Sequence, residues 1–185
     1  MGMSKVCVFF AEGYEEIEAL TVVDLLRRAG IETQMVSVTG DKQVTSSHKV
    51  PVIMNALLAD VNFDEVDMIV LPGGMPGTKN LENCAELMAQ VDAFVRAGKY
   101  VAAICAAPSI LGHRGILQGR KACCYPEYEE ELTGAEVTRN SVEITGNVIT
   151  SRGMGCAIDF SLAIVSVYKG QNAAEELAEK VVYSR

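Results

Sequence analysis

The sequence lacks the patterns by which proteins usually hold a metal. Its 185 residues include two histidines and six cysteines, but no Cys-x-x-Cys pair, and the histidines lie far apart along the chain. This spacing argues against a zinc site, so we expect no metal. The adjacent Cys123 and Cys124 cannot easily form a disulfide without strain, which favours a reduced compartment.

Targeting and nucleotide-binding signals are also missing. No apolar run approaches the ~20 residues that span a bilayer, and the N-terminus enters a short strand rather than the long apolar stretch of a secretory signal. Neither of the common glycine-rich phosphate motifs occurs. The formal net charge of -8 and a pI of about 4.8 argue against a nucleic-acid partner. We expect a cytoplasmic protein without membrane contact or cofactor.

What is present is the composition of a compact globular chain. Hydrophobic residues make up 49% of the sequence and charged residues 22%. That balance, together with the length, predicts one domain over residues 1–185 with a full core.

Short apolar runs alternate with stretches of helical periodicity along the chain. Strands are predicted over residues 5–10, 32–38, 68–71, 100–104 and 121–125, with three short ones between 137 and 151; helices over 15–29, 82–97, 108–114, 155–169 and 172–183; and a polar hairpin over 43–55. This alternation predicts an α/β fold, a flavodoxin-like three-layer sandwich with a mostly parallel central sheet. Ligands of such folds bind beyond the carboxyl ends of the central strands.

Cys105 is the residue that points most directly to chemistry. It follows the apolar strand 100–104 and precedes a helical segment with Pro108 near its start, which is the arrangement of a nucleophile elbow. The positive end of the helix dipole there is expected to favour the thiolate. Cysteines inside apolar or helical stretches, such as Cys7, Cys84 and Cys156, more often pack as small hydrophobes.

Glu18 is the second candidate because of the helix face it occupies. In the first predicted helix it shares a face with Val22, Leu25 and Ala29, which are all apolar. A carboxyl group on the buried face tends to stay protonated, and it can then move protons in catalysis. The alternative is a simple favourable interaction with the helix N-terminus, which we prefer for Glu15 and Glu16.

Three loops are expected to meet at the carboxyl ends of neighbouring strands: residues 11–15, residues 72–77 and the turn at Cys105. Glycines such as Gly74 let the backbone approach a ligand closely, and the N–H group of Ala106 offers a second donor for an oxyanion.

These segments resemble the ThiJ/PfpI superfamily, and specifically its DJ-one branch. The resemblance rests on residues 11–18 (AEGYEEIE), 24–30 (DLLRRAG), 71–74 (LPGG), 102–108 (AAICAAP) and 150–160 (TSRGMGCAIDF). It implies a flavodoxin-like homodimer in which Cys105 is reactive and hydrogen-bonded to a protonated Glu18. It also implies that the N–H groups of Gly74 and Ala106 form an oxyanion hole. Members are described as cofactor-free glyoxalases, as deglycases of early glycation adducts, and as oxidative-stress sensors or chaperones.

The sequence departs from relatives of this type at several positions. The protease-like branch has a histidine directly after the cysteine, where this chain has Ala106, so peptidase activity is not expected. The branch's best-known member has arginine at the place of His48 and histidine at the place of Tyr125. His48 and Arg28 are accessory candidates, although a histidine on a polar hairpin tip is more often simply solvated.

Three functions remain open at this stage. The first is an enzyme in which the Cys105 thiolate attacks a small reactive carbonyl, or a glycated substrate, while Glu18 carries protons. The second is a redox sensor or chaperone that works through oxidation of Cys105. The third is a member that keeps the fold and binds a metabolite or partner.

Overall fold

The computed structural model describes residues 4–184, and its sheets are built from eleven strands within that range. The strands are β1 (Lys5–Phe10), β2 (Glu32–Ser37), β3 (Gln43–Thr45), β4 (Pro51–Ile53), β5 (Ala56–Leu57), β6 (Met68–Leu71), β7 (Tyr100–Ile104), β8 (Lys121–Ala122), β9 (Glu136–Val137), β10 (Val142–Thr145) and β11 (Val148–Ser151). The α-helices are α1 (Glu16–Arg28), α2 (Gly77–Glu82), α3 (Ala85–Ala97), α4 (Pro108–His113), α5 (Ala157–Lys169) and α6 (Gln171–Lys180).

Seven strands form the main sheet in the order β10-β11-β7-β6-β1-β2-β5. All neighbours pair in parallel except β10 and β11. The strands β6 and β7 are apolar and almost completely buried, as expected for strands covered on both faces. This confirms the predicted flavodoxin-like three-layer sandwich.

The two faces of β1 enter different cores. Val6, Val8 and Phe10 pack with α1, α5 and α6, whereas Cys7 and Phe9 pack with α3 and α4 on the other side. The period-2 alternation of a strand explains this division. Because β1, β6 and β7 are neighbours, the loops that leave their carboxyl ends meet at one edge of the sheet.

Several predicted boundaries were wrong. The helix predicted over 82–97 begins at Ala85 as α3, because the chain turns at Asn83 and Cys84; the preceding helix α2, which ends at Glu82, was not predicted. The predicted strand over 121–125 ends at Ala122, since the N–H of Cys123 turns to the Thr150 hydroxyl at 3.0 Å. The polar hairpin was predicted correctly: β3 and β4 pair antiparallel. In the range 4–184, no helix is both long and apolar enough to cross a membrane.

Candidate active site

Cys105 lies on a strained turn between β7 and α4. Its φ is +66°, in the left-handed region of backbone conformation that residues other than glycine seldom adopt. The turn is held by the Cys105 N–H, which donates to the Ser151 carbonyl at 3.0 Å, and by the Ala107 N–H, which donates to the Ile104 carbonyl at 3.1 Å. This is the backbone of a nucleophile elbow, as the sequence predicts.

Glu18 faces the thiol from the first turn of α1. The residue is 1% exposed, and its side chain forms a hydrogen bond with Cys105. Its Oε2 accepts the Gly73 N–H at 2.9 Å. Burial raises the pKa of Glu18 from 4.5 to about 7, against the lowering effect of these two hydrogen bonds. The predicted burial of this carboxyl group, and the direction of its pKa shift, are confirmed.

The diglycine turn after β6 completes the surroundings of the sulfur. The N–H groups of Gly74 and Ala106 form hydrogen bonds with the Cys105 side chain. The peptide between Gly73 and Gly74 is held from its other side, because the Gly73 carbonyl accepts the Glu15 N–H at 2.9 Å. Two backbone donors and one carboxyl group therefore converge on one sulfur.

The direction of the net pKa shift of Cys105 differs from the one expected at a helix end. Burial raises the pKa of the Cys105 thiol, and the Glu18 carboxyl raises it further; the N–H groups of Ala106 and Gly74 lower it. The expected effect of the helix end is present, since the Ala106 N–H lowers the pKa, but desolvation and the facing carboxyl group outweigh it, so the net shift of the Cys105 pKa is upward.

The two accessory candidates form their ion pairs with carboxylates. The His48 Nδ1 is 3.1 Å from Glu16 Oε1 and 3.7 Å from Glu15 Oε2, at the hairpin tip. Arg28 pairs with Asp24 at 2.6 Å on the exposed last turn of α1. Ten residues of helix separate it from Glu18, about 15 Å along the axis, so the structure does not bring it to the thiol of its own chain.

Glu15 has a role that the sequence did not reveal. Its side chain caps α1 by accepting the Ile17 N–H at 3.4 Å, in line with the expected interaction at the helix start. Its backbone N–H also holds the Gly73 carbonyl. No sequence pattern could have indicated this contact, because it joins two backbones from distant segments.

One cluster in the described range 4–184 has the composition of a metal site. The ligand atoms of Glu15, Glu16 and His48 lie within 4.8 Å of one another. These groups already contact each other, and the Ser47 hydroxyl lies 3.1 Å from His48 Nδ1. The absence of a metal requirement stays a prediction.

Comparison with known proteins agrees with this geometry. The family model described as the DJ-1/PfpI family matches residues 4–167. The chain is 37% identical to Protein DJ-1 homolog B of Arabidopsis thaliana over 96% of its own length and 41% of that protein, so it spans less than half of that relative. It is 29% identical to a Caenorhabditis elegans protein named Glutathione-independent glyoxalase DJR-1.2, covering 94% of this chain and 93% of that one.

A solved structure, the oxidized DJ-1 of Toxoplasma gondii, matches with a TM-score of 0.94 at 35% identity, covering 98% of this chain and 100% of that one. The family match covers well over half of the sequence and includes Glu18, the diglycine turn and Cys105. On this evidence, the chain belongs to the DJ-1/PfpI family.

Proposed function

We propose that this protein is a cysteine-dependent glyoxalase that converts a small 2-oxoaldehyde to a 2-hydroxy acid without glutathione. The observation that carries the proposal is the close approach of Glu18 to Cys105 around Gly73, where a single Cβ would lie 2.6 Å from both Glu18 Oε2 and Cys105 Cβ, beside the N–H groups of Gly74 and Ala106. A base with a pKa near 7 next to a nucleophile is well matched to proton transfer at neutral pH. The glyoxalase name of the Caenorhabditis elegans relative supports the same activity.

The reaction begins with attack by sulfur on the aldehyde carbon. As the C–S bond forms, the thiol proton passes to the Glu18 carboxylate, and the carbonyl electrons move onto oxygen. The N–H groups of Gly74 and Ala106 act as the oxyanion hole for that oxygen. Return of the proton from Glu18 gives a neutral hemithioacetal.

Glu18 then removes the hydrogen on the former aldehyde carbon, and an enediol forms. Delivery of this proton to the neighbouring carbon gives a thioester of the 2-hydroxy acid, and water releases the acid and restores the thiol. One carbon is oxidised and its neighbour is reduced, so the reaction needs no outside oxidant or reductant. In deglycation, the same sulfur would attack the carbon that carries the amine or thiol of an early glycation adduct; the bond to that amine or thiol breaks, it leaves with a proton, and the same hemithioacetal remains.

The deciding experiment is lactate formation from methylglyoxal, without glutathione, by the wild-type protein and by Cys105→Ser and Glu18→Gln. The proposal expects activity in the wild type and loss in both variants. Turnover that survives Cys105→Ser contradicts it, and so does a freshly reduced wild type that forms no lactate.

A second candidate, a redox sensor, is favoured by the same donors around the sulfur. Peroxide converts the thiol to a sulfenic acid and then, with a second equivalent, to a sulfinic acid. In this role, the N–H groups of Gly74 and Ala106, which lower the pKa of the Cys105 thiol, would donate hydrogen bonds to the sulfinate oxygens. Mass spectrometry after graded peroxide distinguishes this role, because it requires Cys105 to gain oxygen before the other five cysteines do.

A further inference from the structure

Tyr125 is held beside the nucleophile by its backbone. Its N–H donates to the Cys105 carbonyl at 2.8 Å, a bond that any side chain at position 125 leaves in place. The preceding residues, Cys123 and Cys124, are buried, so the chain emerges from the core at Tyr125. The position is therefore fixed relative to the turn that carries the thiol.

The aromatic ring of Tyr125 is left open to solvent. The residue is 47% exposed, and among residues 4–184 the ring pairs with no other aromatic ring. One edge of the ring lies against Gly153, where a Cβ would come within 3.3 Å of Tyr125 Cδ2. Glycine at position 153 thus leaves room for the ring at the carboxyl end of β11.

A second exposed apolar side chain, Met75, lies in the loop after β6, on the other side of β7 from β11. Met75 is 40% exposed and directly follows Gly74, whose N–H reaches the sulfur. In the sheet, β7 lies between β6 and β11. Cys105, at the end of β7, therefore lies between the loop after β6, which carries Met75, and the segment after β11, where Gly153 contacts Tyr125. Exposed apolar groups that flank a reactive group favour an apolar ligand.

We infer that Tyr125 is a specificity-determining residue, which selects 2-oxoaldehydes with a planar aromatic substituent over those with a methyl group. The inference rests on the proposed glyoxalase function and names the substrate class of the same site. Contact between two aromatic rings is more favourable than the buried area alone explains. This extra stabilisation corresponds to a preference of about two- to tenfold in kcat/KM for the aromatic substrate. The Tyr125 hydroxyl is not needed for this contact.

The first test compares kcat/KM for phenylglyoxal with kcat/KM for methylglyoxal. Tyr125→Ala is expected to lower this ratio by about two- to tenfold, whereas Tyr125→Phe is expected to keep it. Ile53→Ala removes an exposed apolar side chain from β4, outside the site, and serves as the matched control. An unchanged ratio in Tyr125→Ala overturns the inference, including the case in which a second copy of the chain covers the ring.

The second test does not depend on turnover. Alkylation of Cys105 by iodoacetanilide, which carries a phenyl ring, is compared with alkylation by iodoacetamide, and mass spectrometry gives the two rates. Tyr125→Ala is expected to lower the ratio of these rates, and Tyr125→Phe to preserve it. If the wild type forms no hydroxy acid but the alkylation ratio falls in Tyr125→Ala, the proposed function fails and the aromatic site stands. If the alkylation ratio is the same in both proteins, the aromatic site fails.

Discussion

Gly73 lies so close to Glu18 that a methyl group on its Cα would be 2.6 Å from the carboxyl oxygen Oε2. The same methyl group would also lie 2.6 Å from the Cys105 Cβ. The hydrogen bond from the Gly73 N–H to Glu18 therefore requires a residue without a side chain at position 73, because no space is left between Glu18 and Cys105.

Gly73→Ala is expected to disrupt the site. The added Cβ must push Glu18 and Cys105 apart, and displacement of reacting groups by about 1 Å can cost 100-fold in rate. Overpacking is also expected to lower the free energy of unfolding by about 1–3 kcal/mol. Steady-state turnover of methylglyoxal and denaturant melts measure the two effects.

Gly155→Ala is the control for that substitution, since a Cβ there meets nothing within 4 Å. Equal losses of turnover in Gly73→Ala and Gly155→Ala would show that the close approach to Glu18 does not matter.

The rate should depend on the ionisation of Glu18. Because burial raises the pKa of this carboxyl group to about 7, the base form that accepts the thiol proton is lost as the pH falls below that value. We expect kcat/KM for methylglyoxal to decline on the acid side with an apparent pKa near 7. A profile that stays flat down to pH 5 would exclude Glu18 as the base.

Glu18→Gln should change how stability depends on pH. The pKa of Glu18 is about 7 in the folded chain, against 4.5 as its ordinary value, so the folded state holds the proton more tightly. Its contribution to stability is fully present below pH 4.5 and is lost as the pH rises through about 7. The side chain of the variant cannot ionise. Its free energy of unfolding, relative to that of the wild type, is therefore expected to rise by up to about 3 kcal/mol between pH 5 and pH 8.

Thermal melts of both proteins at several pH values measure this difference. A wild type that keeps the same stability relative to Glu18→Gln from pH 5 to pH 8 contradicts the prediction.

His113 should give a smaller pH dependence, away from the site. Its ring nitrogens bond Glu131 Oε2 at 2.7 Å and Glu82 Oε1 at 2.6 Å, and these bonds raise its pKa above 6.5. The stabilisation of the folded chain by protonated His113 is present below pH 6.5 and is lost as the pH rises through the raised pKa. Melts at pH 6 and pH 9 are expected to show that His113→Gln costs stability mainly at pH 6. Because the side chain is 39% exposed, the difference should be small.

The dimer implied by the family resemblance is tested through α1. Ile17 is 48% exposed on the face that also carries Thr21, Asp24 and Arg28. Light scattering is expected to give about twice the chain mass of 19.9 kDa, and Ile17→Asp to shift the protein toward the monomer. A wild type that scatters as a monomer at micromolar concentration removes the basis for the dimer.

The elements that the sequence predicts best are those with purely local signals. The apolar runs that form β1, β6 and β7 match their predicted bounds. The apolar periodicity of α1 correctly predicted that Glu18 is buried. The two-residue strand β5 was not predicted, because its pairing with β2 is a property of the assembled sheet.

The site could be predicted in the same uneven way. Cys105 was placed on its turn from the order of strand, small residues and Pro108. The direction of its pKa shift was not predicted, since it depends on the distance and burial of Glu18, which comes from another element. Tertiary contacts of this kind leave no spacing pattern in the sequence.

The order of strands in the sheet also determines when the chemistry becomes available. A nascent chain emerges with its N-terminus first, so Glu18 and the diglycine turn exist well before residue 105 is made. An unfinished chain therefore carries Glu18 and the diglycine turn, the proposed base and oxyanion donor, but not yet Cys105, the proposed nucleophile. In a complete but unfolded chain, the nucleophile is an ordinary solvated thiol. Under the proposed function, turnover of a 2-oxoaldehyde therefore requires β7 to be paired beside β6, and the onset of turnover during refolding would report the formation of this central strand pair.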